Sequence, residues 1–267
     1  MKGLGAIYLQ QFRTTLASQL QYRAMLFIWL IGQVLEPLVY LVVWSAVSRS
    51  TGGSVGDFSS GEFAAYFIVM MLINHSTFTW IMWEQEYRIR QGTFSFALLK
   101  PVHPIHSDIA DNISYKLITF PAMLLVALAL SLAFRPQIHF APWAFIAFFP
   151  ALGLAFLMRF LLEWTISLTA FWTTRVSAIN QIYYVLLLFF SGQVAPLSLL
   201  PGPIRTLASA LPFRWMVSFP IELLLGRLTP SQALVGLGAQ VAWLAACFIL
   251  LKMMWRAGVR VYSAVGA

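Results

Sequence analysis

His75 and Ser76 are the first residues whose types invite catalysis, a general base beside a hydroxyl nucleophile. They are adjacent, so on a helix they point about 100° apart, and no third group follows to orient the base. His103 and His106 stand three apart and precede Asp108 and Asp111, a spacing that can ligate a metal but also suits a solvated helix start. Arg159 and Glu163 lie four apart inside an apolar run, where they share a helix face and can pair. Glu36 sits midway along another apolar run, with Gln33 one turn earlier on the same face, and His75 lies beside Asn74 in a third. Polar groups in such runs are costly in lipid, so they either line a polar path or hold helices together. The chain contains no G-x-x-x-x-G-K-[ST], no H-E-x-x-H and no G-x-S-x-G. Its single cysteine, Cys247, excludes an intramolecular disulfide. No catalytic, cofactor or metal site is therefore expected, and any ATP and Mg belong to a separate partner chain.

The elements that position these residues follow from composition. The chain has 267 residues, 60% of them hydrophobic and only 10% charged. A soluble domain carries about 25% charged residues, whereas a bilayer accepts this much apolar surface. The expected fold is an all-α integral membrane protein, one transmembrane domain over 1–267. Six spans are expected: Ala24–Val47, Phe63–Trp83, Leu117–Phe134, Trp143–Trp172, Ile179–Leu199 and Leu234–Trp255. Before them, residues 2–23 are too polar for a cleavable signal. Apolar residues recur there at Leu4, Tyr8, Phe12, Leu16 and Leu20, which predicts an amphipathic helix lying in the membrane interface.

The net charge of +8 invites a nucleic-acid reading. The basic residues instead flank apolar runs, where they anchor helix ends against anionic lipid, so membrane lipid is the expected partner and nucleic acid is not. With both termini placed in the cytoplasm, Lys and Arg favour the inside by about two to one, as the positive-inside rule requires. Residues 84–112 then lie inside and residues 48–62 outside, the latter as a Ser- and Gly-rich loop. Residues 135–142 form a short outer turn around Pro136, and residues 173–178 a short inner turn holding Arg175. Residues 191–233 lie outside, rich in proline yet largely apolar, which predicts short broken helices re-entering the outer leaflet.

The inner loop is the most densely charged stretch. Glu84 and Arg88 are four apart, as are Glu86 and Arg90, each acid N-terminal to its base, so they stiffen a short helix. Gly92 can end that helix in the left-handed conformation, and Pro101 and Pro104 bar its continuation.

Glu84-Gln85-Glu86-Tyr87-Arg88-Ile89-Arg90-Gln91-Gly92-Thr93, followed by Leu98-Leu99-Lys100-Pro101, resembles the cytoplasmic loop of ABC-2 type permeases, the membrane subunits of ABC exporters. The outer segment is similar too: Ser191-Gly192 and Pro196, then Pro201, Leu211-Pro212 and Gly226. The tail Gly258-Val259-Arg260-Val261-Tyr262-Ser263-Ala264-Val265-Gly266 resembles a bacterial subgroup with largely unassigned substrates. Gly92-Thr93-Phe94 departs from the family's Gly-Thr-Leu step. The resemblance covers essentially the whole chain. It implies a non-catalytic permease in the plasma (inner) membrane, coupled to an ABC ATPase subunit through Glu84, Glu86, Arg88, Arg90, Gly92, Lys100 and Pro101. It also implies a second permease chain, a sister or a copy, and a re-entrant segment built around Gly192, Pro196, Pro201 and Pro212. The resemblance does not say what is exported; the few charges in the spans disfavour small inorganic ions, and the expected cargo is lipid-like, an amphipathic drug or a glycan. The rivals are a secondary carrier or channel using Glu36, Arg159 and Glu163, and an intramembrane enzyme built on His75.

Overall fold

The computed structural model describes residues 4–21, 23–139, 141–173 and 176–262. Its elements run α1 (Leu4–Gln21), α2 (Arg23–Ser50), a hairpin of β1 (Ser54–Val55) and β2 (Phe58–Ser59), α3 (Ser60–Thr77), α4 (Ile81–Arg90), α5 (Phe94–Leu98), α6 (Pro104–Phe134) and α7 (Pro142–Ser167). A 3-10 turn (Leu168–Phe171) extends α7, and α8 (Val176–Phe190), a second 3-10 turn (Leu197–Leu199), α9 (Gly202–Ala210), α10 (Pro212–Met216), α11 (Ser218–Leu224) and α12 (Pro230–Val261) follow. The result is an all-α membrane protein. Five described segments are long and apolar enough to cross a bilayer: Ile28–Ser50, Ser60–Arg90, Pro104–Phe134, Pro142–Phe171 and Pro230–Val261. The run expected over Ile179–Leu199 is helical only from Val176 to Phe190, about 22 Å at 1.5 Å per residue.

Helix α3 is the axis of the bundle. Its residues from Phe63 to Met71 are all buried, which is why it shows no apolar stripe: a helix enclosed on every side needs none. Around it pack α2, α6, α7 and α11. A capping box starts it, with Ser59 Oγ accepting from Glu62 N at 3.2 Å and Glu62 Oε2 accepting from Ser59 N at 2.8 Å.

The predicted outer loop at 48–62 is more ordered than its composition implied. It folds as the hairpin, with Phe58 buried beneath the Arg227 guanidinium, 3.6 Å from its ring centroid. Arg227 also pairs with Glu62 at 2.7 Å, tying the start of α12 to that of α3. The turn around Pro136 places Arg135 in the left-handed region and hydrogen-bonds Gln137 N to Gly61 O at 2.9 Å. The hairpin, this turn and α9–α11 thus share one end of the bundle, and α4 and α5 lie at the other.

Residues 191–229 form short helices broken at Leu211 and Val217, with Pro212, Phe213, Met216, Phe219 and Ile221 buried against the bundle. The segment is anchored where it begins. Gly192 has φ +89, its carbonyl accepts from Tyr66 Oη at 2.8 Å, and a Cβ there would stand 2.6 Å from that oxygen. Trp44 Nε1 donates to Val194 O at 2.8 Å. Pro196 and Pro212 are buried, whereas Pro201 is exposed.

Helix α1 docks along the first turns of α6. Gln11 Nε2 and Thr15 Oγ1 donate to Asp111 Oδ1 at 2.7 and 2.5 Å, so polar residues beside the apolar stripe meet the protein as well. Tyr8, Phe12 and Leu16 are half-buried, and Leu4 and Leu20 lie outside the described side chains. Residues 2, 3 and 22 of that predicted helix, Arg175 in the inner turn, and tail residues 263–266 also lie outside the description.

Candidate functional site: a braced helix break and a clamped helical turn

The second predicted span is not one helix. Helix α3 stops at Thr77, Phe78 is extended (φ −57, ψ 142), and α4 starts at Ile81. Neither glycine nor proline lies near the break. Freed backbone groups in a bilayer must find partners, and for the Phe78 carbonyl a side chain of another helix supplies one. Lys116 Nζ of α6 donates to Phe78 O at 2.8 Å. Arg159 and Glu163 of α7, paired at 2.8 Å and both buried, bracket the same three residues. Arg159 Nη1 reaches Thr77 Oγ1 at 3.2 Å and its guanidinium lies over the Phe78 ring. Glu163 accepts from Thr79 Oγ1 and, at 2.9 Å, from Tyr183 Oη of α8. The pair expected from i, i+4 spacing is therefore present, and its main work is to brace a helix break that sequence did not reveal.

His75 lies one turn above the break, buried. Its ring nitrogens meet Gln33 Oε1 at 2.7 Å and Thr119 Oγ1 at 3.0 Å, linking α2, α3 and α6. Ser76 Oγ donates instead to Leu72 O, so the adjacent hydroxyl is engaged elsewhere. Glu36 stands apart from these contacts. It is exposed on α2, and no hydrogen bond or ion pair joins it to Arg159 among the described residues.

Below the break, α4 carries both predicted ion pairs. Arg88 pairs with Glu84, and Arg90 with Glu86 at 3.3 Å. Sequence reading missed the third partner. Arg88 Nη1 also binds Asp108 of α6 at 2.7 Å, and the other oxygen of Asp108 accepts from Trp164 Nε1 of α7 at 2.9 Å. Asp108 is buried, so Arg88 faces its own protein rather than solvent.

Gly92 ends α4 at φ +71, as the sequence predicted. Its carbonyl accepts from Tyr262 Oη at 3.0 Å, just past the end of α12, and Tyr262 Oη lies 3.0 Å from Ser95 Oγ. Phe94 is buried between Phe171, Trp255 and Tyr262. The tail motif therefore places an aromatic clamp on the turn between α4 and α5, a contact whose only sequence signal was the Tyr262 of that motif. The opposite face of the unit is open: Tyr87, Phe96 and Leu99 are 65%, 70% and 82% exposed, beside exposed Arg90, Lys100 and Pro101.

The four residues with metal-like spacing have other partners. His103 packs against Trp255 with ring centroids 4.3 Å apart, and burial, then the neighbouring His106, hold its pKa below the usual imidazole value. His106 meets Tyr8 Oη at 3.3 Å, and Asp108 and Asp111 are engaged as described. Among the described residues no group of three or more His, Cys, Asp or Glu is arranged to hold a metal.

What this arrangement can do is mechanical. A stiff two-helix unit, fixed on its inner face to α6, α7 and α12, meets the central helix through a braced break and offers an apolar and basic outer face. A family model described as ABC-2 family transporter protein matches residues 34–266. No curated protein matches the chain significantly.

Proposed function

Because the chain belongs to the ABC-2 transporter family, we propose that it is the non-catalytic permease subunit of an ATP-driven exporter, coupled to a separate ATPase chain through α4 and α5. One observation carries the coupling role: the α4–α5 unit is rigid toward its own helices yet leaves Tyr87, Phe96 and Leu99 uncovered beside Arg90 and Lys100. Exposed apolar side chains set among charges on a polar loop mark an interface. Closure of the ATPase pair would push on this face, and the break at 78–80 would pass the movement to α3. Two permease chains would form the pathway, a sister chain being favoured over a copy by family analogy alone. Each permease supplies differential packing between inward and outward states rather than chemistry.

The orientation that goes with this reading has both termini and residues 84–112 in the cytoplasm of a plasma (inner) membrane, supported by the Lys and Arg asymmetry. Helix α8 would complete six crossings, and 191–229 would re-enter the outer leaflet against the bundle. Single cysteines at Ser54 and Gln91, in a chain lacking Cys247, are expected to label from opposite sides with an impermeant thiol reagent. Labelling of both from outside would refute the orientation.

Purification of the native complex tests the coupling itself. A P-loop ATPase is expected to come down with the permease. Arg90→Glu combined with Lys100→Glu is expected to cut its recovery per permease about tenfold, as removal of interface charge does, without changing the amount inserted. Recovery unchanged by this double reversal would remove α4–α5 from the interface. A second reading, a secondary carrier, is favoured by one observation only, the unpaired Glu36. Transport by the chain alone in liposomes under an ion gradient, with no ATPase recovered, would put that reading first.

A further inference from the structure

Glu36 has no account in the packing of this chain. Seven of the nine acidic residues have side-chain partners: Glu62 with Arg227, Glu84 and Asp108 with Arg88, Glu86 with Arg90, Asp111 with Gln11 and Thr15, Glu163 with Arg159, and Glu222 with Arg214. Asp57 lies in the polar turn of the hairpin, where water can solvate it. Glu36 is the intramembrane carboxyl that remains. It is exposed within the Ile28–Ser50 span and is not bonded to Arg159, which is already matched by Glu163. A carboxylate turned to lipid at such depth is costly. Its face therefore borders protein or water.

The surroundings of that face are specific. Pro37 follows Glu36 within the helix and has no N–H, so the Gln33 carbonyl loses its intrahelical donor and adds a second acceptor in the same turn. Trp29 lies seven residues before Glu36, on the same face and about 10.5 Å along the axis. It begins a chain of aromatic rings that crosses the helix break: Trp29 to Trp80 at 4.5 Å, Trp80 to Trp83 at 5.5 Å, and Trp83 to Tyr184 of α8 at 5.1 Å. Trp29 and Trp83 are 43% and 41% exposed, so the row of rings lies at the surface of the bundle rather than filling the core. Gly32, between Trp29 and Glu36, has open space where a Cβ would be. A carboxylate, a freed carbonyl and partly exposed indoles on one apolar wall match a cation carried on an apolar body, through charge and cation–π attraction together.

We propose that the α2 face centred on Glu36 and Trp29 is the cargo-contacting wall of the export pathway, and that its ligand is an amphipathic organic cation. This rests on the exporter reading for its direction of transport but not for its binding chemistry. It narrows the cargo from lipid-like molecules, drugs or glycans to those bearing a positive charge. A glycan has no charge for Glu36 to meet, and an anionic lipid would be repelled by it.

Equilibrium dialysis of tetraphenylphosphonium against the full chain in nanodiscs, with protein-free nanodiscs subtracted, tests the proposal. Tetraphenylborate, of the same shape and opposite charge, is the control. The wild-type chain is expected to bind the cation at least about tenfold more tightly than the anion. Glu36→Gln should remove most of that preference, and Glu36→Asp should keep part of it. Trp29→Leu should weaken the cation several-fold. Both Glu36 and Trp29 are exposed, so folding is expected to survive, with inserted yield as the check. Wild-type indifference to the sign of charge, or a Glu36→Gln chain that binds the cation unchanged, would overturn the proposal. So would light scattering that shows Glu36→Gln dissociating paired permease chains, since Glu36 would then be an interface residue. Because the assay contains no ATPase, cation binding without ATPase recovery would fell the exporter reading and leave the site standing, and the reverse result would do the opposite.

Discussion

Glu163→Gln is expected to destabilise the chain by about 3–5 kcal/mol, the usual cost of removing one partner from a buried ion pair. The asymmetry within the pair is the sharper expectation. Without the Glu163 charge, Arg159 is left buried with one hydroxyl, Thr77 Oγ1, and the face of Phe78. Neither compensates a guanidinium in an apolar interior. Arg159→Met leaves Glu163 with two hydroxyl donors, Thr79 and Tyr183, that already hold it. Its cost is expected at about 1–3 kcal/mol, closer to that of imperfectly satisfied polar groups. The double variant should lose less than the sum of the two, because neither charge is then stranded. Denaturation midpoints in detergent micelles measure all three. Equal and negligible losses for both single variants would mean that the pair is not buried and does not brace the break at 78–80.

That break shows where sequence reading stops. The Arg159–Glu163 pair was legible, because i, i+4 spacing is local and follows from helix geometry. Its role was not. Residues Asn74 to Trp80 include no glycine or proline, so nothing local interrupts the apolar run expected from Phe63 to Trp83. The interruption is stabilised by groups 38 to 84 positions away, Lys116 and Glu163, and only the fold brings them there. The helix that carries the third expected span begins well before Leu117 for a related reason. Asp108, Asp111 and Lys116 lower the local hydropathy, yet the helix runs on from Pro104 because those charges face α1, α4, α7 and the break rather than lipid. In the fifth predicted span the helix ends at Phe190, and Gly192 turns the chain with φ +89 under Tyr66. Apolarity continued past that point because the short helices beyond it are buried on protein. Hydropathy cannot tell that burial from burial in lipid.

The α4–α5 unit yields the other large effect, and the structure changes which substitution is informative. By spacing alone, Arg88 and Arg90 look equivalent, two bases each paired to an acid one turn earlier. In the fold, Arg88 is the counter-charge of buried Asp108, whereas Arg90 is 52% exposed. Arg88→Glu would set a second carboxylate against Asp108 and is expected to lower stability by about 3–5 kcal/mol, as stranding a buried charge does. A loss of ATPase binding in that variant would say nothing specific about the interface. Gly92→Val is the cleaner probe of force transmission. It leaves every charge of the unit in place, but a β-branched residue cannot hold φ +71 without strain. The turn must shift, and with it the Gly92 carbonyl that Tyr262 grips at 3.0 Å and the seat of Phe94 among Phe171, Trp255 and Tyr262. Under the proposed coupling role, ATPase recovered per permease should stay within about twofold of wild type, because Tyr87, Arg90 and Lys100 remain available to the partner. Transport-linked ATP hydrolysis in reconstituted vesicles should fall about tenfold, within the 0.5–2 kcal/mol by which substitutions along a coupling route act. Tyr262→Phe removes the same hydrogen bond without straining the turn, and should reproduce a smaller part of the loss. Wild-type coupling in both variants would show that the clamp on α12 is packing only and that force, if α4 transmits it, passes through the break at 78–80 alone.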